Sequence, residues 1–360
     1  MKLNKKFWKN KKVFVTGHTG FKGSWLTLIL KVLGARVYGY ALNPISKPNF
    51  FDGLQLSKFL EKDYRQNIQD LKKLKMAIKK TKPSVVIHLA AQSSVFVSYK
   101  DPIDTIKSNV IGTMNVLEAI KNEKSIKVGL IITTDKVYLN LEKKKKFKED
   151  QPLGGHDIYS GSKAASEIIF HSYQKSFYQG SKCNISTVRS GNCIGGGDWT
   201  KDRIVKDCAE KLIHNKKLII RSPKATRPWQ HVIEPLVGYL TLAEKMFKNK
   251  KFSGAWNFGP SLKNNLKVID LVNFSRKILK SKSDIKIIKN KLYESTHLAL
   301  NSDKSLRYLN WKTILTAKEA IKYSLDWYKL YFQKKSKNSV VQFSKNQITK
   351  YFLLMNKRVK

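Results

Sequence analysis

The chain has 360 residues, 41% of them hydrophobic, which is enough for a sizeable core and more than one minimal domain needs. Its 70 Lys and Arg against 26 Asp and Glu give a net charge of +44, but the basic residues are mostly Lys, spread along the whole chain, with no nucleic-acid-binding motif among them. Specific nucleic-acid binding is therefore not expected. Nor is a membrane span, since no run approaches the ~18 apolar residues required. Three cysteines (Cys183, Cys193, Cys208) without a CxxC argue against a disulfide framework or a zinc site. A cytoplasmic protein without a metal is expected, its positive charge helping to attract an anionic ligand.

Lys11–Thr16 reads as a buried strand entering a Gly-rich turn. A helix over Ser24–Leu33 is closed by Gly34, and Ala35–Leu42 is a second strand. Leu71–Thr81 is helical, and Pro83 opens the strand Ser84–Leu89. Ile103–Ile120 is a helix with one buried stripe at Ile106, Val110, Met114 and Leu117. The strand Val128–Thr133, the long helix Tyr159–Tyr178 and the strand Asn184–Val188 follow. Alternating strands and helices, with strands apolar on both faces, predict a doubly wound α/β fold on a parallel sheet. Residues 1–190 form the expected dinucleotide-binding domain, of Rossmann type. After Gly191 the texture becomes irregular, so 191–231 and 261–330 are assigned to a smaller substrate-binding domain. The helix Glu234–Lys248 and strand Ala255–Phe258 within 232–260 return to the main sheet. Lys143–Lys146 is read as a solvated charge run. Residues 333–360 are read as a basic C-terminal tail that catalysis can spare, with one apolar patch at 351–355.

The first turn is Gly17-His-Thr-Gly20-Phe-Lys-Gly23, three glycines at spacing three between a strand and a helix. Glycine lets backbone N–H groups approach a pyrophosphate, and a helix N-terminus favours its charge. Such folds usually place an acid at the end of the second strand to hold the ribose 2′-OH. Here that position is Asn43, which leaves NAD against NADP open. The lack of an Arg there tilts the choice to NAD.

Tyr159 and Lys163 stand at i and i+4 at the start of a helix and share a face. A cation ~4 Å from a phenol contributes ~4 kcal/mol at an effective dielectric of 20, about three pKa units. That brings a phenolate within reach of neutral pH as a base for a sugar hydroxyl. Thr133-Thr134-Asp135-Lys136 follows a strand whose C-terminal end faces the ligand crevice. Thr134 can bond a sugar hydroxyl. Asp135 and Lys136 offer an acid and a base, but adjacent strand residues point to opposite faces, so both serve one site only if the chain turns there. In the second half, Arg227 and His231 flank Trp229, offering charge for a diphosphate and a flat face for a base or ribose, or else a structural turn. His88 reads as a strand residue, and Trp25 and Trp256 as core.

GHTGFKGSWL at 17–26, HLAAQ at 88–92, TTDKVY at 133–138, YSGSKAASE at 159–167, GNCIGGGDW at 191–199, RPWQHV at 227–232 and WNFGP at 256–260 together resemble the CDP-glucose 4,6-dehydratases, within the extended short-chain dehydrogenase/reductase family. The resemblance runs from about Phe7 to Trp327. Most hexose dehydratases carry Glu where Lys136 stands, and a lysine there resembles the CDP-glucose branch. The family commonly has Ser at 134, Asp at 43, Arg at 96 and Asp-Ile-Arg-Asp at 67–70, where this chain has Thr134, Asn43, Phe96 and Asn67-Ile-Gln-Asp70.

The resemblance implies an NAD-dependent hydro-lyase converting CDP-glucose to CDP-4-keto-6-deoxyglucose, in deoxysugar biosynthesis of the lipopolysaccharide O-antigen kind. It implies NAD contacts by Gly17, Thr19, Gly20, Phe21, Lys22, Gly23, Asn67, Ile68, Leu89, Ala90, Ala91, Tyr159 and Lys163. Substrate contacts fall to Gln92, Asn192, Arg203, Arg227, Gln230 and His231, and catalysis to Thr134, Asp135, Lys136, Tyr159 and Lys163. Helices 103–120 and 159–178 match those that form a homodimer in similar enzymes. A nucleotide-sugar 4-epimerase shares Tyr159 and Lys163 but needs no Asp135–Lys136 pair, and a non-catalytic NAD-binding or RNA-associated protein would need neither pair.

Overall fold

The computed structural model describes residues 3–142, 146–288, 298–333 and 336–358. Residues 143–145 of the lysine run lie outside them. Continuous apolar runs become the interior strands of a sheet: β1 (Lys12–Thr16), β2 (Arg36–Ala41), β4 (Val85–His88), β5 (Val128–Ile132) and β6 (Asn184–Ser190). β3 (Leu60–Arg65) and the strand Gly254–Phe258 form its edges, giving seven strands in the order 254–258, β6, β5, β4, β1, β2, β3. Every neighbouring pair is parallel. This is the doubly wound sheet expected, reversing direction between β1 and β4, where such folds open a ligand crevice.

Local chemistry sets the ends of the helices. Asp70 caps Leu71–Thr81 through Lys73 N, and Asp157 caps Ile158–Tyr173 through Ser160 N. After a single helical turn at Lys5–Trp8, the first long helix, Phe21–Val32, starts three residues before the expected Ser24, because Gly20 takes the N-cap position. The helix read over 103–120 begins at Pro102 and passes through a π-turn at Lys107–Ile111. The catalytic-side helix likewise ends in a π-turn, Gln174–Tyr178.

The second half is built from short strand pairs: Cys193–Ile194 with Gln230–His231, Thr226–Pro228 with Asn265–Lys267, and Leu218–Ile220 with Ile285–Ile287. Helices Ile204–Ile213, Val268–Leu279 and Ala317–Phe332 pack beside them. One apolar core runs from β1 and the first helix through Trp25, Trp229 and Trp311 to Trp327.

The segment read as a basic tail instead forms a helix, Lys337–Arg358. Val340, Ile348, Tyr351 and Met355 are buried, at spacings of eight, three and four that put them on one face. Tyr351 Oη donates to Glu234 Oε2 at 2.5 Å, and Arg358 pairs with Glu319 at 2.8 Å. Glu234 is wholly buried and also accepts from the backbone N–H of Ile314 (3.0 Å) and Leu315 (2.7 Å). Its carboxylate therefore ties the last helix to the loop before Ala317–Phe332, and the segment is part of the packed body.

Burial raises the Glu234 pKa to about 7, against its hydrogen bonds to Tyr351, Leu315 and Ile314. Below about pH 4.5 the carboxyl is protonated in both the folded and unfolded chains. Above that the unfolded chain ionises first, so this group's contribution to stability falls as pH rises towards about 7, by roughly 3 kcal/mol. Glu234→Gln is expected to flatten that slope, which urea unfolding of both proteins at about pH 5 and about pH 8 will measure. Deleting 336–360 is expected to lower the unfolding midpoint in the same assay.

Candidate active site

Gly17 ends β1 with φ +72° and lies against the end of β4, where a Cβ would stand 2.5 Å from Ala90 N. A Cβ on Gly23 would collide with the Gly17 carbonyl. Both positions require glycine, and they draw the turn into a tight cradle beside Leu89, Ala90 and Ala91. No side chain caps the helix at Gly20, so its first N–H groups are free to meet an anion. Thr19 Oγ1 donates to the Leu42 carbonyl at 3.0 Å, tying the cradle to the end of β2. Ile68 is buried and Asn67 exposed at the end of β3. These residues fit a dinucleotide laid across the switch point.

His18, unassigned in the sequence reading, is wholly buried, and its Nε2 lies 2.9 Å from Asp63 Oδ1. Arg65 pairs with the other oxygen of Asp63 at 2.7 Å and reaches the Leu42 carbonyl at 3.4 Å. Burial pushes the Asp63 carboxyl up, but His18 and Arg65 hold it below its ordinary value. An Arg therefore does stand at the end of β2, contrary to expectation. It comes from β3, a strand the sequence reading missed, and Asp63 pairs its charge.

At the end of β5 the chain leaves the strand in a 3-10 turn, Asp135–Val137, capped by Thr134. This is the turn that a shared Asp135–Lys136 site requires. Asp135 is buried, and burial raises its carboxyl above the ordinary range against the pull of Lys136, Thr134, Lys22 and Arg227. A raised carboxyl is more readily held protonated, as a general acid must be. Tyr159 is 9% exposed at the start of its helix. Burial raises its phenol above the ordinary value and outweighs Thr134, Lys22 and Arg203, which lower it, so the lowered phenol expected from the Tyr159–Lys163 spacing is not found. The Thr134 hydroxyl donates to Asp135 Oδ1 at 3.0 Å.

Lys163 is buried, its Nζ only 3.4 Å from the Ile132 carbonyl. Burial and the Lys22 ammonium lower its pKa to about 8, with Glu167 opposing them. Lys22 turns inward to donate to Ser190 Oγ at 2.7 Å.

The substrate-side residues divide. Arg227 and Arg203 both act on this cluster, through Asp135 and Tyr159 respectively. The Asn192 carbonyl accepts from Gln230 N in the short strand pairing beside Gly191. The Gln92 side chain is spent within its own loop, donating to Ser94 O and Thr105 Oγ1. Gln230 is buried and donates to the Phe258 carbonyl. His231 corrects the expectation. It is wholly buried, packed edge-on against Trp25 and Tyr323, with its pKa lowered by burial to about 3, so it is a neutral core residue. Trp229 is also core, its Nε1 donating to Leu266 O, so the RPWQHV segment is largely structural there. His88 is buried between Thr16 and Thr113, as a strand residue. Among the described residues no His, Cys, Asp and Glu group could hold a metal.

Residues 14–324 match the family described as GDP-mannose 4,6 dehydratase. The chain belongs to this family. It is 38% identical to a CDP-glucose 4,6-dehydratase of Salmonella typhimurium, over 92% of this chain and 94% of that protein. It is 24% identical to a human dTDP-D-glucose 4,6-dehydratase, over 89% of this chain and 90% of that protein. Among solved structures, a Bacillus anthracis dTDP-glucose 4,6-dehydratase in complex with NAD aligns with a TM-score of 0.74 and 22% identity, over 89% of this chain and 96% of that one. A Thermotoga maritima UDP-glucose 4-epimerase aligns with a TM-score of 0.77 and 19% identity, over 90% and 99%. At those identities the solved structures establish the fold, which dehydratases and epimerases of the family share.

Gly23→Ala is expected to force the cradle open. Overpacking of this kind costs ~1–3 kcal/mol, so dinucleotide affinity should fall roughly 10-fold or more. Calorimetric titration with NAD, alongside a melting curve to show that the variant is folded, checks this.

Proposed function

We propose that this chain is an NAD-dependent CDP-glucose 4,6-dehydratase, a hydro-lyase giving CDP-4-keto-6-deoxyglucose. The observation that supports the reading is the turn Asp135–Val137, capped by Thr134, in which Lys136 acts on Asp135 and Asp135 on Tyr159. An epimerase acting at C4 alone has no use for that acid and base. The 38% identity to a CDP-glucose enzyme over nearly the full length of both chains supports the substrate.

Bound NAD supplies the hydride acceptor for C4 and the hydride donor for C6. The chain supplies the proton movements. Tyr159 takes the proton of the C4 hydroxyl, with Thr134 and the buried cations stabilising its phenolate. The 4-ketone acidifies the C5 hydrogen; Lys136 removes it, and returns a proton to C5 when C6 is reduced. Asp135, whose carboxyl burial raises above its ordinary value, is the acid that gives a proton to the departing C6 hydroxyl. Arg203 and Arg227 hold the diphosphate end of the substrate. No external oxidant is consumed.

The cytoplasmic reading has the support of three free cysteines, and no described helix is long and apolar enough to cross a membrane. Product use in O-antigen deoxysugar synthesis and a homodimer complete the proposal. The dimer has the support of apolar side chains left exposed on the two long helices, among them Ile103, Ile111, Ile168 and Phe177.

Tyr159→Phe is expected to lower kcat at least ~100-fold with CDP-glucose binding largely kept, read by steady-state assay and calorimetry. In heavy water the wild type should place deuterium on C5 and carry a C4 label to C6 of the same molecule, both visible by NMR. Lys136→Met should lose C5 exchange by a similar factor. Unchanged exchange would assign the base elsewhere. Inversion at C4 without C5 exchange in the wild type would make the protein an epimerase.

A further inference from the structure

The position that usually carries an acid at the end of the second strand holds Asn43, which is neutral and exposed. One residue before it, the Leu42 carbonyl gathers two donors. Thr19 Oγ1 of the glycine turn reaches it at 3.0 Å, and Arg65 Nη1 at 3.4 Å. Arg65 is the last residue of β3, and in the sheet register it stands opposite Ala41, the last residue of β2. Its guanidinium therefore lies beside the backbone that leads into Asn43, at the carbonyl shared with the glycine turn.

Two further contacts hold the guanidinium there. Its Nη2 donates to Asp63 Oδ2 at 2.7 Å, and its central carbon lies 4.8 Å from the centre of the buried Phe51 ring. Asp63 is itself anchored, because its other oxygen lies 2.9 Å from His18 Nε2. His18 is wholly buried against Gly39 of β2, where a Cβ would stand 2.6 Å from the ring. Both Asp63 oxygens are thus turned to partners within the protein. Arg65 spends one N–H on Asp63 and one on Leu42. Its other N–H groups have no partner among the described residues, and 31% of its side chain is open to solvent. A fixed cation with donors to spare, at a strand end that carries no acid, suits the phosphate of a phosphorylated ribose.

We propose that Arg65 is a specificity-determining residue of the cofactor site, and that this site accepts the 2′-phosphate of NADP as well as the free 2′-hydroxyl of NAD. An acid at the end of β2 would bond the hydroxyl and repel a phosphate. Asn43 can still bond a hydroxyl, and it has no charge to repel a phosphate. Asp63 offsets part of the Arg65 charge, so the expected outcome is acceptance of both dinucleotides and not a preference for NADP. The chemistry tolerates either. On the reading of the chain as a dehydratase, hydride leaves C4 and returns to C6. The bound dinucleotide ends as it began, and the oxidation state of neither cellular pool drives the reaction.

The test is calorimetric titration of the full-length protein with four separate probes: NAD, NADP, adenosine 5′-phosphate and adenosine 2′,5′-bisphosphate. Wild type should bind NADP within about 10-fold of NAD. Arg65→Met should weaken NADP and the bisphosphate roughly 10-fold or more, the loss expected of a charge-assisted bond to phosphate, and NAD and the monophosphate by less than about 3-fold. Asn43→Asp leaves Arg65 and its partners in place. It should weaken NADP by a similar factor and spare NAD, and it serves if melting curves show that Arg65→Met does not fold. A wild type that binds NAD but not NADP overturns the proposal. So does a folded Arg65→Met protein in which NADP affinity is unchanged, or in which NAD and NADP weaken equally, which would make Arg65 a support for the turn alone. Every readout is a binding constant, so absence of CDP-glucose turnover would overturn the substrate reading and leave the Arg65 assignment standing.

Discussion

The site depends on a buried ion pair that touches no reacting atom. Arg189 on β6 meets Glu167 on the catalytic helix through two bonds, 2.9 Å from Nε and 2.8 Å from Nη2. Both side chains are almost wholly buried. The Glu167 oxygens also accept from Thr133 on the β5 exit and Thr187 on β6. The remaining Arg189 nitrogen donates to Tyr138 Oη and the Glu149 carbonyl, and Tyr138 in turn donates to Asn257 of the edge strand. Arg189 and its neighbours hold the Glu167 carboxyl below its ordinary value although burial raises it. Such a pair adds little net stability over an apolar core, but removing one partner costs ~3–5 kcal/mol. Its value here is geometric. It fixes Tyr159 and Lys163, two turns and one turn before Glu167, against Thr134 and Asp135, directly after Thr133.

That frame explains why so much positive charge can gather in one crevice. Lys22, Arg203 and Arg227 act on Asp135 or Tyr159, and Lys22 on Lys163. Burial disfavours the charge of Lys22 and Lys163, while Arg203 is exposed. The anions that offset this are partly supplied by chemistry: a phenolate in the reaction and a diphosphate on the substrate. The net charge of +44 then helps bring an anionic nucleotide-sugar to the crevice, at a rate that salt would screen.

Much of the fold was legible because buried parallel strands are apolar without interruption. Val13–Val15, Val85–Ile87 and Val128–Ile132 need no context to be recognised. β3 was missed for the opposite reason. Its sequence, LEKDYR, is an edge strand with half-exposed side chains and no apolar run. With it went Asp63 and Arg65, whose link to His18 and Leu42 exists only across strands. The last helix was misread because its buried residues are diluted by lysines and its apolar face packs on a core built from distant parts of the chain, with Tyr351 bonding Glu234 more than a hundred residues away. The candidate catalytic residues were legible as motifs. The direction in which Lys22 points was not, because a residue inside a phosphate-binding turn carries no sign that its side chain leaves the turn.

The glycine run at 195–197 shows how the second half is pressed onto this frame. A Cβ on Gly196 would overlap the Trp327 ring, and one on Gly197, at φ +80°, would overlap Phe50. Trp327 and Phe50 stack at 5.5 Å, and Phe50 stacks on Trp25 of the cofactor helix at 4.8 Å. Trp25 Nε1 donates to the Gly196 carbonyl at 3.0 Å. The loop therefore threads between aromatic rings drawn from the helix Phe21–Val32, the short helix Phe50–Gly53 and the helix Ala317–Phe332. Any side chain at 196 or 197 would push that loop outward. Four residues before Gly196 lies Asn192, and beside it Gly191 against Asp135, so the displacement would be felt at Asp135. The glycines act on chemistry through distance, and the aromatic stack makes that distance stiff.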